Sequence, residues 1–68
     1  MADSILVRID TKRFRENAAT NGEEMTPSQT IDWLRDSGFR EQSDGWWLCE
    51  QISFELLDQS EIIEAKRF

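Results

Sequence analysis

The stretch Met25–Phe39, MTPSQTIDWLRDSGF, has the start, body and end signals of one short helix. Thr26 fits the N-cap, because its hydroxyl can accept a hydrogen bond from a free backbone N–H of the first turn. Pro27 suits the first helical position, and Gln29, three residues after Thr26, completes a capping box. We therefore predict a helix that begins directly after Thr26.

The same stretch carries a helix stop signal. Gly38 can adopt the left-handed conformation needed at C′, which pairs Leu34 at C3 with Phe39 at C″ in a Schellman motif. Ile31 and Leu34 are three residues apart and therefore share one side of the helix, which Pro27 also joins. We expect this side to pack against the core.

The first strand is predicted over residues 4–10. Ile5, Val7 and Ile9 recur at every second position, and this alternation of β-branched residues is typical of a strand buried on one face. The basic run over 12–15 is expected to extend this strand or to form its exposed end.

A loop is predicted between the first strand and the helix, over residues 17–24. Asn21-Gly22 is a turn signal, and no apolar periodicity runs through this stretch. We interpret it as a connector between strand and helix.

A hairpin is predicted after the helix, with a strand over 39–42 and a turn over 43–45. Its return strand keeps a period of two over most of ten residues. The side expected to face the helix consists of Trp46, Leu48, Ile52, Phe54 and Leu56. Glu50 interrupts that side, and a buried unpaired carboxylate is costly, so we expect a local break or an exposed position there.

The last segment allows two interpretations. Residues 57–61 look like a polar turn, and residues 62–68 could then form a strand. Asp58 and Glu61 have capping-box spacing, so a short helix over 61–68 is the alternative. The adjacent Ile62 and Ile63 favour the strand.

Together these elements predict one small α+β domain over residues 1–68, in the order β-α-β-β-β. One α-helix packs on a small, mostly antiparallel sheet of three to four strands. The strand order cannot be read, although the first and last strands could be neighbours. The other sheet face, with Trp47, Cys49 and Leu57 among polar residues, is expected to be partly open and could support a homo-oligomer.

Composition limits the chemistry. The 68 residues include no histidine and no tyrosine, and Cys49 is the only cysteine. Nucleophile pairs that need histidine and zinc sites of the Cys/His type are therefore excluded. An enzyme would have to use carboxylates, Lys12, Lys66 or Cys49 in a pocket that so small a domain hardly encloses. We expect no catalytic residue, no metal and no cofactor.

The expected location is the cytoplasm. A single cysteine cannot form a disulfide within the chain, no signal-peptide pattern is visible, and no apolar stretch could span a bilayer. A membrane is therefore not expected among the partners.

Charge is unevenly distributed along the chain, whose net charge is −6. Residues 4–15 contain four cations and one carboxylate, whereas residues 16–64 contain two cations and twelve carboxylates. An acidic body favours a small regulator or accessory subunit that binds a protein with a basic surface, including the case in which carboxylates mimic nucleic acid. The aromatic candidates for contacting that partner are Trp33, Trp47 and Phe14.

Nucleic-acid binding is the alternative function. If the terminal strands are adjacent, the cations near the two chain ends could form one phosphate-binding patch: Arg8, Lys12, Arg13, Arg15, Lys66 and Arg67. An aromatic residue among cations suits single-strand stacking. The sequence pI near 4.4 opposes this interpretation, so protein binding is favoured.

Overall fold

A computed structural model describes residues 4–43 and 45–67. Within them lie four strands: β1 (Ser4–Ile9), β2 (Arg40–Ser43), β3 (Trp46–Glu50) and β4 (Ile62–Arg67). The helices are α1 (Thr11–Thr20), α2 (Pro27–Asp36) and the short α3 (Gln51–Phe54), with a 3₁₀ turn over Gln59–Glu61. The sheet is antiparallel in the order β2-β3-β1-β4. The predicted α+β class is confirmed, with more helices than expected.

Helix α2 matches the predicted helix closely. The Thr26 hydroxyl accepts from the Gln29 N–H at 3.1 Å, and the Gln29 side chain accepts from the Thr26 N–H at 3.0 Å. Gly38 has a φ of +97°, and the Phe39 N–H donates to the Leu34 carbonyl at 2.9 Å. Both predicted motifs are therefore present, the capping box at the start of this helix and the Schellman motif at its end.

The core side of α2 differs in one residue from the prediction. Leu34 is buried and Ile31 packs against the core, but Pro27 is exposed. Thr30 takes the buried position instead, and its hydroxyl donates to the Thr26 carbonyl at 2.9 Å. This local bond satisfies the hydroxyl, so a polar residue can be buried there.

Helix α1 replaces the predicted strand extension and the first half of the predicted loop. Asp10 is its N-cap, and the Asp10 carboxylate accepts from the Arg13 N–H at 3.0 Å. Phe14 alone is fully buried on this helix, so its apolar side is too sparse to give a periodic signal. The turn at Asn21-Gly22 is confirmed, with Gly22 at a φ of +87°.

The two faces of β3 are opposite to those predicted. Val7 pairs with Trp47 and Ile5 with Cys49, so these residues share the side that faces the helices. Trp47 is 1% exposed, whereas Trp46 is half-buried on the other face. The expected positions of Trp46 and Leu48 toward the helix, and of Trp47 and Cys49 toward the open face, were wrong.

The reason lies after Glu50, where the chain changes from strand to helix. Glu50 is exposed at the end of β3, which confirms the expected break. Ile52 is 75% exposed and Phe54 packs partly against the core, both from α3. Their even-numbered positions continue the spacing of Trp46 and Leu48, so the sequence pattern predicts one long strand with the wrong face inward.

For the last segment the strand interpretation is confirmed, and the alternative of a helix over 61–68 is wrong. Asp58 and Glu61 form a capping box, but it caps only the 3₁₀ turn, and β4 follows as the strand that the isoleucines favoured. Strand β4 lies beside β1, so the terminal strands are neighbours. The end of the predicted segment, Phe68, and the middle of the hairpin turn, Asp44, lie outside the described residues.

The core lies between the sheet and the helices. Its buried apolar residues are Ile5, Val7, Ile9, Phe14, Leu34, Phe39, Trp47, Cys49 and Leu57. No helix in the described part of the chain is long and apolar enough to cross a membrane.

Candidate functional site

The three predicted contact aromatics have different accessibilities. Trp47 is 1% exposed and Phe14 is 6% exposed, so neither presents a surface to a partner in the folded chain. Trp33 is half-buried, and its ring lies 4.9 Å from that of Phe14, centroid to centroid, at an interplanar angle of 52°. Phe14 therefore holds Trp33 in place, and Trp33 alone of the three remains partly accessible.

Two adjoining depressions lie on the helix side of the molecule and share Trp33. The larger has a volume of about 540 Å³ and runs between α1 and the segment that precedes β4. The second, about 520 Å³, lies along α2 and the loop before it. Because Glu23, Met25 and Trp33 line both, we treat them as one feature and call it the acidic groove.

The acidic groove is strongly negative. One cation, Arg13, lies among its described lining residues, and its guanidinium is already 3.7 Å from the Glu16 carboxylate. Six carboxylates line it: Glu23, Glu24, Asp32, Asp36, Asp58 and Glu61. Low-dielectric walls next to charges of one sign concentrate the electrostatic potential, so cations are attracted here.

Hydrogen bonds fix one wall of the groove. Glu61 is 5% exposed, and its carboxylate accepts from the Asn17 amide at 2.7 Å and from the Asp58 N–H at 2.9 Å. Ser60 donates to the Asp58 carboxylate through its hydroxyl and its backbone N–H, and these bonds lower the pKa of Asp58. Asn17 thus ties α1 to the segment before β4, and Asp58 stays ionised at neutral pH.

The site offers charge and apolar surface. Within residues 4–43 and 45–67, no three potential ligands are close enough together to hold a metal ion. Cys49 lies in the core away from the groove, and burial raises the pKa of its thiol to about 11. The thiol is therefore protonated at neutral pH and is a poor nucleophile.

The predicted basic patch does not form as one surface. Leu6 pairs with Lys66 on one face of the sheet, and Arg8 follows on the same face. Arg67 pairs with Ile5 and thus faces the helices, where it donates to the Gln51 side chain at 2.6 Å and lies over the Phe54 ring. The other three predicted cations lie on α1: Lys12, Arg13 and Arg15.

Sequence analysis missed the residues that join Arg8 and Lys66 on the sheet face away from the helices. Arg40 pairs with Leu48, and Leu48 pairs with Leu6, so all three lie on this face. Trp46 pairs with Arg8 and completes it. We call this set the open sheet face: Leu6, Arg8, Arg40, Trp46, Leu48 and Lys66. Ending β3 at Glu50 gives the correct phase for Trp46 and Leu48, whereas Arg40 and Lys66 join them only through the strand register.

No protein-family model, curated protein or solved structure matches this chain. Its function is therefore inferred from the acidic groove and the open sheet face themselves.

Proposed function

We propose that the chain is a non-catalytic interaction module whose acidic groove binds a basic segment of another protein. The observation that carries this proposal is the position of Trp33, half-buried at the junction of two depressions lined by six carboxylates and one arginine. A regulator or accessory subunit would act through such a surface.

Trp33 supplies the contact that charge alone would not. An arginine or lysine side chain placed over an indole ring gains a cation–π attraction, and its aliphatic part covers apolar surface. Phe14 already holds the Trp33 ring, so little conformational entropy is lost when a ligand contacts it. Met25, which also lines both depressions, can adapt to side chains of different shape.

The two-part shape favours an extended ligand. Each depression can accept side chains, and the shared lining at Glu23, Met25 and Trp33 lies between them. A peptide segment with cationic side chains on both sides of a central apolar or arginine residue would fill both parts. Mimicry of nucleic acid is a special case, in which these carboxylates would take the phosphate sites of a DNA- or RNA-binding protein.

The remaining parts of the proposal rest on composition. The chain lacks histidine, and its one thiol is held protonated in the core, so binding is favoured over catalysis. A cytoplasmic location and the absence of a cofactor stay predictions.

The proposal can be tested by an amide-resolved NMR titration with a short peptide of lysine, arginine and leucine. A peptide with glutamate in place of the cations serves as the ligand control. We expect the basic peptide to shift the backbone signals of residues 23–36 and the Trp33 indole N–H. If the basic peptide shifts no groove signal at low salt, the proposal is wrong.

Matched variants separate the groove from the general negative charge. Neutralising three groove carboxylates in E23Q/D32N/D36N should weaken peptide binding by about tenfold, because each exposed charge pair contributes up to about 1 kcal/mol. The control variant neutralises three exposed carboxylates elsewhere: E41Q/E55Q/E64Q. Equal weakening by both variants would show that only net charge matters and would contradict a specific groove.

A further inference from the structure

The open sheet face carries a regular arrangement of apolar and cationic residues. One row crosses all four strands in the order Arg40, Leu48, Leu6, Lys66, so two cations flank an apolar pair. Arg8 lies two residues along β1 from Leu6, on the same side. The three cations are exposed, and none has an ion-pair partner among the residues that the structure describes.

Trp46 lies in the middle of these cations. It pairs with Arg8 across β1 and β3, and the Lys66 ammonium group is 5.3 Å from the centroid of its ring. Since Lys66 is on β4 and pairs with Leu6, the ring reaches diagonally across β1. The indole is half-buried, so part of its surface is open to solvent.

This face is positive although the chain as a whole is negative. Among the residues that the structure describes, two carboxylates share this face: Glu64 opposite Arg8, and Glu50 at the end of β3. With the three cations they give these residues a net charge of +1, while the whole chain carries −6. The negative charge is thus concentrated on other surfaces, including the acidic groove.

We propose that the open sheet face binds single-stranded nucleic acid, with a base stacked on Trp46 and phosphates held by Arg8, Arg40 and Lys66. Base stacking on an aromatic ring together with a cationic track is the general physical basis of single-strand binding. Lys66 moves from the indole ring to a phosphate when a base takes its place.

The shape of the face selects this ligand over two others. The strands form an open surface, and the helices in the described part of the chain pack on the other side, through Phe14, Leu34 and Phe54, so none is placed to enter the major groove of a duplex. An acidic peptide would satisfy the cations but would leave Trp46, Leu6 and Leu48 without a stacked partner. A single strand offers planar bases and phosphates together.

The test measures fluorescence anisotropy of a labelled oligo(dT) and a labelled oligo(U), each about 12 nucleotides long. We expect binding at about 50 mM salt that weakens with a log–log slope of about −2, from three phosphate contacts at about 0.7 each on a single strand. The R8A/R40A/K66A variant should lose most of the affinity and most of the slope. The absence of binding at about 50 mM salt would overturn the proposal.

The control variant for charge is K12A/R13A/R35A, which removes three exposed cations from the helices. It lowers the net charge by the same amount and should bind much more tightly than the sheet-face variant. Equal loss in both variants would show that the attraction is not located on the sheet face.

Trp46 is tested with two substitutions that keep an apolar side chain on the sheet. W46F retains an aromatic ring and should bind within a few-fold of the original chain. W46L removes stacking and should weaken binding about 5- to 150-fold. Equal affinities of the two variants would rule out stacking, as would an unchanged Trp46 indole N–H signal in an NMR titration.

Competition distinguishes the alternative ligands. Unlabelled single strands should displace the probe, whereas a duplex of mixed sequence and a polyglutamate peptide should compete weakly. Displacement by polyglutamate at equal charge concentration would overturn the proposal and identify a general anion-binding face.

Discussion

Trp33 and Trp46 lie on opposite sides of the sheet and have opposite electrostatic surroundings. Carboxylates and the apolar Met25 side chain surround Trp33 in the acidic groove, whereas Arg8, Arg40 and Lys66 lie around Trp46 on the open sheet face. Net charge and pI average over both sides, so neither value describes either surface. The fold brings Arg40, from the acidic part of the sequence, to the same sheet face as Arg8 and Lys66.

The two sides also differ in how strongly they support the fold, and the neighbouring residues Trp46 and Trp47 show this most clearly. We expect W47A to lower the free energy of unfolding by about 3–5 kcal/mol, because it leaves a large cavity in the core. Trp47 Nε1 has no hydrogen-bond partner among the described residues, so packing accounts for its contribution. W46A should cost about 1 kcal/mol, as expected for a half-buried side chain.

Urea denaturation of the two variants measures this difference. The two residues are adjacent on one strand and both are tryptophan, so the two substitutions differ mainly in the burial of the side chain that they remove. Similar losses in the two variants would contradict the assignment of Trp47 to the core and Trp46 to the surface.

Cys49 makes the stability of the helix side depend on pH, because this residue is only 4% exposed and faces the helices. Burial raises its pKa from 9.0 to about 11, so the unfolded chain releases this proton at lower pH than the folded chain. The thiol therefore has no effect on stability below about pH 9, and it lowers stability between about pH 9 and 11. The loss should reach about 2–3 kcal/mol, from 1.36 kcal/mol per pKa unit.

The measurement is the unfolding free energy of the original chain and of C49A across this pH range. The chain has no tyrosine, and the two proteins differ only at position 49, so the difference between their profiles isolates the thiol. The decline between about pH 9 and 11 should be smaller in C49A by about 2–3 kcal/mol, whatever its stability at neutral pH. An equally steep decline in C49A would show that the thiol is not responsible.

The parts of the fold that could be predicted are those encoded by neighbouring residues. Thr26, Gln29 and Gly38 define both ends of α2 through contacts within a few positions, and each contact is present. Helix α1 was missed because one buried side chain, Phe14, connects it to the core. The Asp10 cap was its main local signal.

The site was only partly predictable for the same reason. Trp33 could be chosen as a contact candidate from its position on α2, and it lies in the acidic groove. The cations on the face of Trp46 come from β1, β2 and β4, so only the register brings Arg40 and Lys66 to one face. Such placements depend on tertiary structure and leave no local pattern.

Glu61 and Glu64 provide a smaller difference in stability between the two sides, because Glu61 is buried and Glu64 is exposed. E61A removes a carboxylate that accepts two hydrogen bonds on the helix side and leaves the Asn17 amide without that partner. We expect it to cost about 2 kcal/mol. E64A, on the open side, should change stability by less than about 0.5 kcal/mol. Thermal unfolding of both variants would refute the proposed role of Glu61 if the two midpoints were equal.

The smallest effect expected is a difference in how ions reach the two accessible indoles. In the W46F variant, caesium should quench the remaining accessible fluorescence of Trp33 better than iodide, once the quenching constant of each ion is divided by its value for free tryptophan, because carboxylates attract the cation. In W33F the order should reverse, because Lys66 and Arg8 lie near Trp46. Trp47 is buried and serves as a common background in both variants.

We expect the quenching constants of the two ions to differ by about twofold at low ionic strength and to converge as salt is added, because exposed charges are screened. The same order of ions in both variants would show that the two tryptophans have similar surroundings, and the separation of charge between the two sides would then be wrong.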